Sequence, residues 1–194
     1  MNIHINPAET IHQWTTVFKI RTQVFTNEWG FSFDPLPGPG AQGVWHFLAS
    51  DDRGHGIATL SIVDTTLDLD LHQRYHMRFP QDDRVARYAQ LAVLRPYRGL
   101  GIPEQMIQVA QSHVIHPESF DYGWLLFPAG RTADSQLTKS LDFKAQPAVL
   151  TTEFGACQVL IRDETAYRAN QPQQGEAQAL DEAGAADQLA VIDI

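Results

Sequence analysis

The sequence predicts an α+β fold, in which two β-hairpins flank a strand that turns directly into a helix. Residues 44–63 and 143–162 each hold two apolar runs separated by a turn, the pattern of a hairpin. Between them, an apolar run over 88–94 leads through a glycine-rich turn into apolar residues at helical spacing from Ile102 onward. The 194 residues, 43% of them hydrophobic, suffice for one domain of ordinary size with an appendage.

The N-terminal half is predicted to contain a strand, a helix, a long loop and the first hairpin. Residues 1–7 form the strand and a turn, and apolar residues at helical spacing predict a helix over 8–26. Prolines and glycines fill 30–43, which therefore forms a loop. The hairpin strands are 44–50 and 57–63. The polar segment that follows, 64–83, carries leucines at 67, 69 and 71, compatible with a short helix.

The C-terminal half is predicted to continue as strand, helix, strand, helix and hairpin. The elements are a strand at 88–94, a helix from 102 that Pro117 ends, a strand at 122–127, a short helix at 133–141 and hairpin strands at 143–150 and 156–162. Residues 164–188 have few branched or aromatic side chains, too few to order themselves. We therefore expect a folded domain over 1–163 and an acidic, flexible tail over 164–194.

Composition excludes several classes of function. The net charge of −9, with only 14 Lys and Arg, argues against nucleic acid as a partner, because phosphate binding needs clustered basic residues. The sequence shows neither a bilayer-spanning apolar run nor a leader, so we expect a cytoplasmic protein without a membrane partner. The single cysteine, Cys157, excludes an internal disulfide and is expected to be a small apolar residue on a strand.

The glycine-rich turn carries the most chemical information. In Arg98-Gly99-Leu100-Gly101-Ile102 the glycines permit positive φ and leave space beside the backbone. Consecutive N–H groups can then point at an anion at the positive end of the following helix. The turn lacks the Gly-Lys-Ser/Thr of a P-loop and the G-x-G-x-x-G of a dinucleotide fold. The pattern predicts a cradle for a diphosphate.

This turn, entered from an apolar strand, resembles the Arg/Gln-x-x-Gly-x-Gly/Ala signature of the GNAT superfamily of CoA-dependent N-acyltransferases. Arg98 and Gly101 match it, and Pro103 stands where the family has Gly or Ala. Proline has no N–H to give to a phosphate but suits a first helical turn, so we expect one donor fewer. The order of elements over 1–163 agrees with the family. The resemblance implies a mixed, mostly antiparallel sheet of six or seven strands flanked by about four helices.

The resemblance also implies a co-substrate, acetyl-CoA or another acyl-CoA, and no metal. The residues that match the diphosphate-binding turn are Arg98, Gly99, Leu100, Gly101, Ile102 and Pro103. Backbone groups of Leu91, Ala92 and Val93 would pair with the pantetheine arm and polarise the thioester carbonyl. Arg95 is either a further phosphate contact or a solvated loop residue.

The catalytic residues are less clear. Many members of the family have an acidic residue near the position that Ala89 or Gln90 occupies here, and this sequence has none there. Gln90 can orient a group but cannot accept a proton at neutral pH. The candidates for a base are Glu28, Asp34, His46, Glu153 and a chain of water molecules. Thr138 stands at the position of the tyrosine that usually serves as general acid in the family, and its hydroxyl is a much weaker acid. Ser135 and Tyr122 are alternative general acids only in that their hydroxyl groups can reach the site.

Two histidine pairs have spacings that fit one helix face, His72 with His76 and His113 with His116. No third ligand has a defined spacing from either pair, so we expect structural or solvent-facing histidines and no metal site.

Three functions follow from these observations. The first is N-acyl transfer from a short acyl-CoA to a primary amine of a small molecule or amino acid. For this enzyme the sequence leaves both a monomer and a homodimer as alternatives. The second is an acyl-homoserine-lactone or N-acyl amino acid synthase, because Arg21-x-x-x-Phe25 with Trp29 is similar to their N-terminal residues. The third is a non-catalytic CoA-binding module.

Overall fold

The computed structural model describes residues 2–33, 35–129, 139–152 and 155–170. In these ranges, seven strands form one sheet in the order β1-β2-β3-β4-β5-β7-β6, and every neighbouring pair except β4–β5 is antiparallel. The predicted mixed, mostly antiparallel sheet is thus confirmed. The strands are β1 (His4–Pro7), β2 (Val44–Ser50), β3 (Gly56–Asp64), β4 (Val85–Val93), β5 (Tyr122–Pro128), β6 (Lys144–Thr152) and β7 (Gly155–Asp163).

Four α-helices accompany the sheet in the described ranges: α1 (Ile11–Arg21), α2 (Leu69–Arg74), α3 (Ile102–Ala110) and α4 (Glu164–Asn170). Helix α1 continues as a π-helical segment, Thr22–Glu28, and α3 as another, Gln111–Ile115. The first helix begins later than predicted because Thr10 is its N-cap and forms a capping box with Gln13. Most of the helix predicted over 133–141 lies outside the described residues.

The two faces of the sheet carry different helices. Phe47, Leu60 and Leu125 pack with α3 in the main core, on what we call the α3 face. Their neighbours along each strand point to the opposite, α1 face, where Leu48 and Ala92 pack near α1 and the segment around α2 covers β5 and β7. Of the described helices, none has the length and apolar character to cross a lipid bilayer.

Strands β4 and β5 separate soon after they meet. Their parallel ladder covers only Val85–Arg87 against Tyr122–Trp124, whereas β4 pairs with β3 as far as Val93 and β5 pairs with β7 as far as Pro128. A gap therefore opens between them toward the end of β4, where the glycine-rich turn follows.

Strand β4 also contains a β-bulge. Ala92 pairs with Thr59 and Ala89 with Ser61, so that Gln90 and Leu91 together oppose the single residue between Thr59 and Ser61. Such a bulge ends regular pairing and redirects the side chain and backbone of the strand.

A buried ion pair attaches α4 to the α3 face. Arg162 and Glu164 are both fully buried and lie 2.8 Å apart, and the Tyr88 hydroxyl donates to the same Glu164 oxygen at 2.9 Å. Burial raises the pKa of Tyr88, so the phenol stays a donor. A Cβ at Gly123 would overlap both the Tyr88 ring and the Glu164 carboxylate, which explains a glycine inside β5.

Residue 164 was predicted to begin a flexible tail, and the structure places Glu164–Asn170 in a helix whose first residue is buried. Residues 171–194 lie outside the described part of the chain, so the tail itself stays a prediction.

We predict that Glu164→Gln lowers the free energy of unfolding by about 3 kcal/mol or more, because it leaves the Arg162 charge buried without a counter-charge. Urea unfolding of both proteins measures this. The matched control is Lys144→Gln, which removes an exposed pair with Asp142 and should change stability by less than about 1 kcal/mol. Equal effects of the two substitutions would contradict the role given to the buried pair.

Candidate functional site

The glycine-rich turn has the backbone geometry that the sequence predicts. Gly99 has φ +79° and Gly101 has φ +67°, and Gly101 is the N-cap of α3 without a side-chain cap. Within the described residues, the N–H groups of Gly99, Leu100, Gly101 and Ile102 donate to no protein acceptor. Pro103 occupies the first turn of α3 and is buried. The turn thus offers consecutive unused donors at a helix N-terminus, which suits an anion.

Two hydrogen bonds fix the conformation of the Arg98 side chain. Its Nη2 donates to Glu28 Oε2 at 2.6 Å and its Nε donates to the Val93 carbonyl at 3.0 Å, while the guanidinium lies 5.6 Å from the Trp29 ring centre. Glu28, one of the predicted bases, therefore forms an ion pair that links the end of the first helix to the glycine-rich turn.

Glu104 places a carboxyl group in the first turn of α3, close to the same donors. Burial raises the pKa of this carboxyl, against an opposing effect from its own backbone N–H. A carboxylate here offsets the positive end of the helix and repels an incoming phosphate.

The β4 bulge is occupied by Gln90, which is buried and has φ +52°. A non-glycine residue costs about 1–2 kcal/mol in this left-handed region. Its Oε1 accepts a hydrogen bond from Arg21 Nη1 at 2.7 Å, so a contact from α1 holds the strained residue in place.

Arg21 joins helix α1 to two strands, β3 and β4, through its guanidinium. Besides Gln90, Nε donates to Thr59 Oγ1 at 3.0 Å and Nη2 donates to Ser61 Oγ at 2.7 Å. All three acceptors are neutral, and within the described ranges no carboxylate lies at salt-bridge distance from Arg21. Burial lowers the pKa of Arg21 to about 9, so the group remains charged at neutral pH. A buried cation of this kind is exceptional, since buried charges are normally paired.

His46 extends this network to the loop before β2. One ring nitrogen, Nε2, lies 2.7 Å from the Pro37 carbonyl oxygen, and Nδ1 lies 2.6 Å from Ser61 Oγ. A carbonyl can only accept, so Nε2 carries the proton, and Ser61 donates to Nδ1 while accepting from Arg21. Burial, and to a smaller extent the Arg21 charge, lowers the pKa of His46 to about 4. The ring is neutral and both of its nitrogens are engaged.

Of the other predicted catalytic residues, the described Tyr122 lies away from the bulge. Tyr122 pairs with Val85 at the start of β4, five residues from Gln90 and thus about 16 Å along the strand. Ser135, Thr138, Asp34 and Glu153 lie outside the described residues, and their roles stay predictions. Leu91, the second bulge residue, and Ala92 and Val93 after it lie on the part of β4 that β5 does not pair with. Arg95 lies exposed in a short 3₁₀ turn, Arg95–Tyr97.

The histidine pairs are not brought together with further ligands. His72 is buried beside Phe79, and burial lowers its pKa. Across the described part of the chain, no group of three or more His, Cys, Asp or Glu side chains is arranged to hold a metal ion. Cys157 is buried in β7, the environment predicted for it.

A cavity of about 550 Å³ lies elsewhere, at the β1–β2 end of the sheet. Its lining includes Trp45, Phe47 and His113, together with Pro39 and Gly40 of the loop predicted over 30–43. Neither the glycine-rich turn nor the bulge contributes to it. The cavity is therefore separate from the cradle.

The sequence singles out Arg21 through its synthase-like motif, and a second signal indicates that this residue is buried. Val17, Ile20, Arg21 and Val24 follow one another at i, i+3, i+4 and i+7, the spacing of a buried helical stripe. A charged residue inside such a stripe must find buried partners, but the partners themselves, Thr59, Ser61 and Gln90, lie too far along the chain to be identified by spacing.

Comparison with known proteins gives agreement in fold. No family model and no curated protein matches the sequence. Among solved structures, the chain is similar to FeeM, an N-acyl amino acid synthase from uncultured soil microbes, with TM-score 0.66 and 11% identity over 87% of this chain and 94% of FeeM.

It is also similar to an acyl-CoA N-acyltransferase from Pseudomonas aeruginosa, with TM-score 0.59 and 17% identity over 83% of this chain and 98% of that one. A third similar structure is the spermidine/spermine N-acetyltransferase SpeG from Vibrio cholerae, with TM-score 0.61 and 11% identity over 86% and 96% of the two chains. At these identities the likeness establishes the shared fold.

We predict that acid destabilises this protein partly through His46. The pKa of this histidine is about 4 in the fold, against an ordinary 6.5, so the unfolded chain binds the proton first. Stability is then lost as pH falls from 6.5 to 4, by up to about 3 kcal/mol. His46→Gln keeps one donor and one acceptor but does not titrate. Urea unfolding at pH 7 and pH 4.5 should show a smaller loss for this variant, and parallel losses would contradict the assignment.

Proposed function

We propose that this chain, which has the GNAT fold, is an N-acyltransferase that moves a short acyl group from acyl-CoA to a primary amine. The observation that carries the proposal is the row of unused N–H donors at the N-terminus of α3. They lie at the end of β4, beside the gap that its separation from β5 opens.

The residues present fit the diphosphate of CoA. The proposed donors are the backbone N–H groups of Gly99, Leu100, Gly101 and Ile102, whereas Pro103 shapes the helix start without donating. The end of β4, Leu91, Ala92 and Val93, pairs with no described strand on the β5 side. It is proposed to pair with the pantetheine arm and polarise the thioester carbonyl.

The proposed reaction is attack by the neutral amine nitrogen on the thioester carbon. A C–N bond forms, the carbonyl oxygen carries the transient negative charge, and the C–S bond then breaks to give a thiolate that takes up a proton. Gln90 is assigned an orienting role at the bulge. Thr138 or Ser135 would protonate the thiolate.

For removal of the amine proton we propose a chain of water molecules. Glu28 is ion-paired with Arg98 and both nitrogens of His46 are engaged, so we assign Glu28 the role of positioning Arg98. Turnover is tested by following release of the CoA thiol from acetyl-CoA with a panel of amines and amino acids. Absence of thiol release with every acceptor, despite CoA binding, would favour the non-catalytic module.

The similarity to FeeM supports a second candidate, N-acylation of amino acids with a longer acyl chain. The acyl donor distinguishes the two candidates: binding and turnover restricted to long-chain acyl-CoA would favour the synthase, and turnover with acetyl-CoA the short-chain enzyme.

The cradle is tested by Gly101→Leu, which adds bulk among the proposed donors and should weaken CoA binding at least tenfold. Ligand at a hundred times its Kd stabilises a protein by about 2.7 kcal/mol, so thermal shift with CoA detects the loss. Gly54→Leu is the matched control, because Gly54 also has positive φ, +78°, and open space around it, but lies in the β2–β3 turn. Equal CoA affinity of the two variants would remove the cradle from the proposal.

Replacement of the acidic side chain beside the cradle should have the opposite effect. Glu104→Gln removes a negative charge from the first turn of α3, so we expect CoA to bind about threefold more tightly at low salt and less so at high salt. Calorimetric titration at two salt concentrations measures this. Asp70→Asn, an exposed change in α2 with the same effect on net charge, should leave the affinity unchanged; a similar gain there would indicate a general charge effect.

A further inference from the structure

Arg21 does more than hold the fold together. Resting on the function proposed above, we infer that Arg21 is a positioning residue: it fixes the β4 bulge through Gln90 and keeps an unneutralised positive charge beside the strand that receives the acyl thioester.

The first argument concerns the partners of Arg21. Thr59 and Ser61 on β3 and Gln90 on β4 take hydrogen bonds from it at 2.7–3.0 Å, and all are neutral. A purely structural contact has no need of an uncompensated charge, because a neutral donor would form the same bonds without the cost of burying a cation. The same chain neutralises another deeply buried arginine, Arg162, with Glu164.

The second argument concerns location. Gln90 takes one of these bonds in the bulge, with φ +52°, and the next residue, Leu91, begins the segment proposed to hold the thioester. Adjacent Cα atoms are about 3.8 Å apart. The Gln90 side chain is therefore the group that separates the Arg21 charge from the segment proposed to hold the thioester. Strain at Gln90 persists only because its surroundings fix it, and Arg21 is the described side chain that does so from α1.

The third argument concerns the sign of the charge. Acyl transfer builds negative charge on the carbonyl oxygen, and a fixed cation in a water-poor environment favours that state over the neutral thioester. Burial lowers the pKa of Arg21 only to about 9, so the charge is present at neutral pH. The charge of Arg21 therefore favours a negatively charged group over a neutral one beside the proposed thioester segment.

The test uses two CoA thioethers that have the same number of heavy atoms, S-carboxymethyl-CoA and S-acetonyl-CoA. The first ends in a carboxylate and the second in a neutral methyl ketone, and both present the same CoA to the cradle. We expect the wild-type protein to bind the carboxylate analogue about tenfold more tightly in calorimetric titration. No acceptor and no turnover are needed.

Three variants separate charge from structure. Arg21→Met should lose the preference for the carboxylate analogue, and Arg21→Lys should retain part of it, because the ammonium keeps the charge. Gln90→Glu keeps an acceptor for Arg21 but neutralises it, so the preference should vanish while thermal stability holds or rises. If Arg21→Met does not fold, the other two variants decide. Arg53→Met, an exposed change in the β2–β3 turn with the same loss of charge, should keep the preference.

Equal affinity of the wild-type protein for the two analogues would overturn the inference, as would a preference that survives in both Arg21→Met and Gln90→Glu. Failure of the proposed function has a different signature: the protein would bind neither analogue nor CoA itself, or it would bind CoA but release no thiol from acetyl-CoA with any acceptor.

Discussion

The hydrogen bonds from one buried guanidinium connect most of the elements that form the candidate site. Arg21 lies at the end of α1 and reaches β3 through Thr59 and Ser61 and the β4 bulge through Gln90. Ser61 passes the connection to His46, which holds the Pro37 carbonyl of the loop before β2. Hydrogen bonds that start from the Arg21 guanidinium thus connect helix α1, the sheet, the β4 bulge and the loop before β2. Displacement of any one of these elements would leave buried polar groups without partners.

The two faces of the sheet each contain a buried arginine, and the two arginines differ in whether a described carboxylate neutralises them. On the α3 face, Arg162 meets Glu164 and the Tyr88 hydroxyl, an arrangement that is neutral overall and attaches α4 to the sheet. On the α1 face, the acceptors that Arg21 meets within the described part of the chain are all neutral. Since removing a charge from water costs several kcal/mol even after relaxation, the first arrangement is readily understood as structural. The second is consistent with a site whose chemistry involves an anion.

The fold was largely predictable from local patterns. The hairpins, the strand before the glycine-rich turn and the helix after it follow from apolar periodicity and from residues such as Gly101 and Pro103, whose conformational preferences act within one turn of the chain. Positive φ at Gly99 and Gly101 was predicted and is observed. The start of α1 at Ile11 could have been read more closely from the capping box of Thr10 and Gln13.

What the sequence determined by itself was therefore the order of elements and the backbone conformation of the glycine-rich turn, because both rest on neighbours in the chain. The tertiary structure alone decided that Gln90 lies in a bulge, that Glu28 pairs with Arg98 rather than standing free, and that Glu164 belongs to the core. It also decided that Arg21 is buried with no carboxylate beside it among the described residues. These features depend on strand register and on contacts between residues tens of positions apart, and side-chain spacing along one element carries no information about which distant residue will complete it.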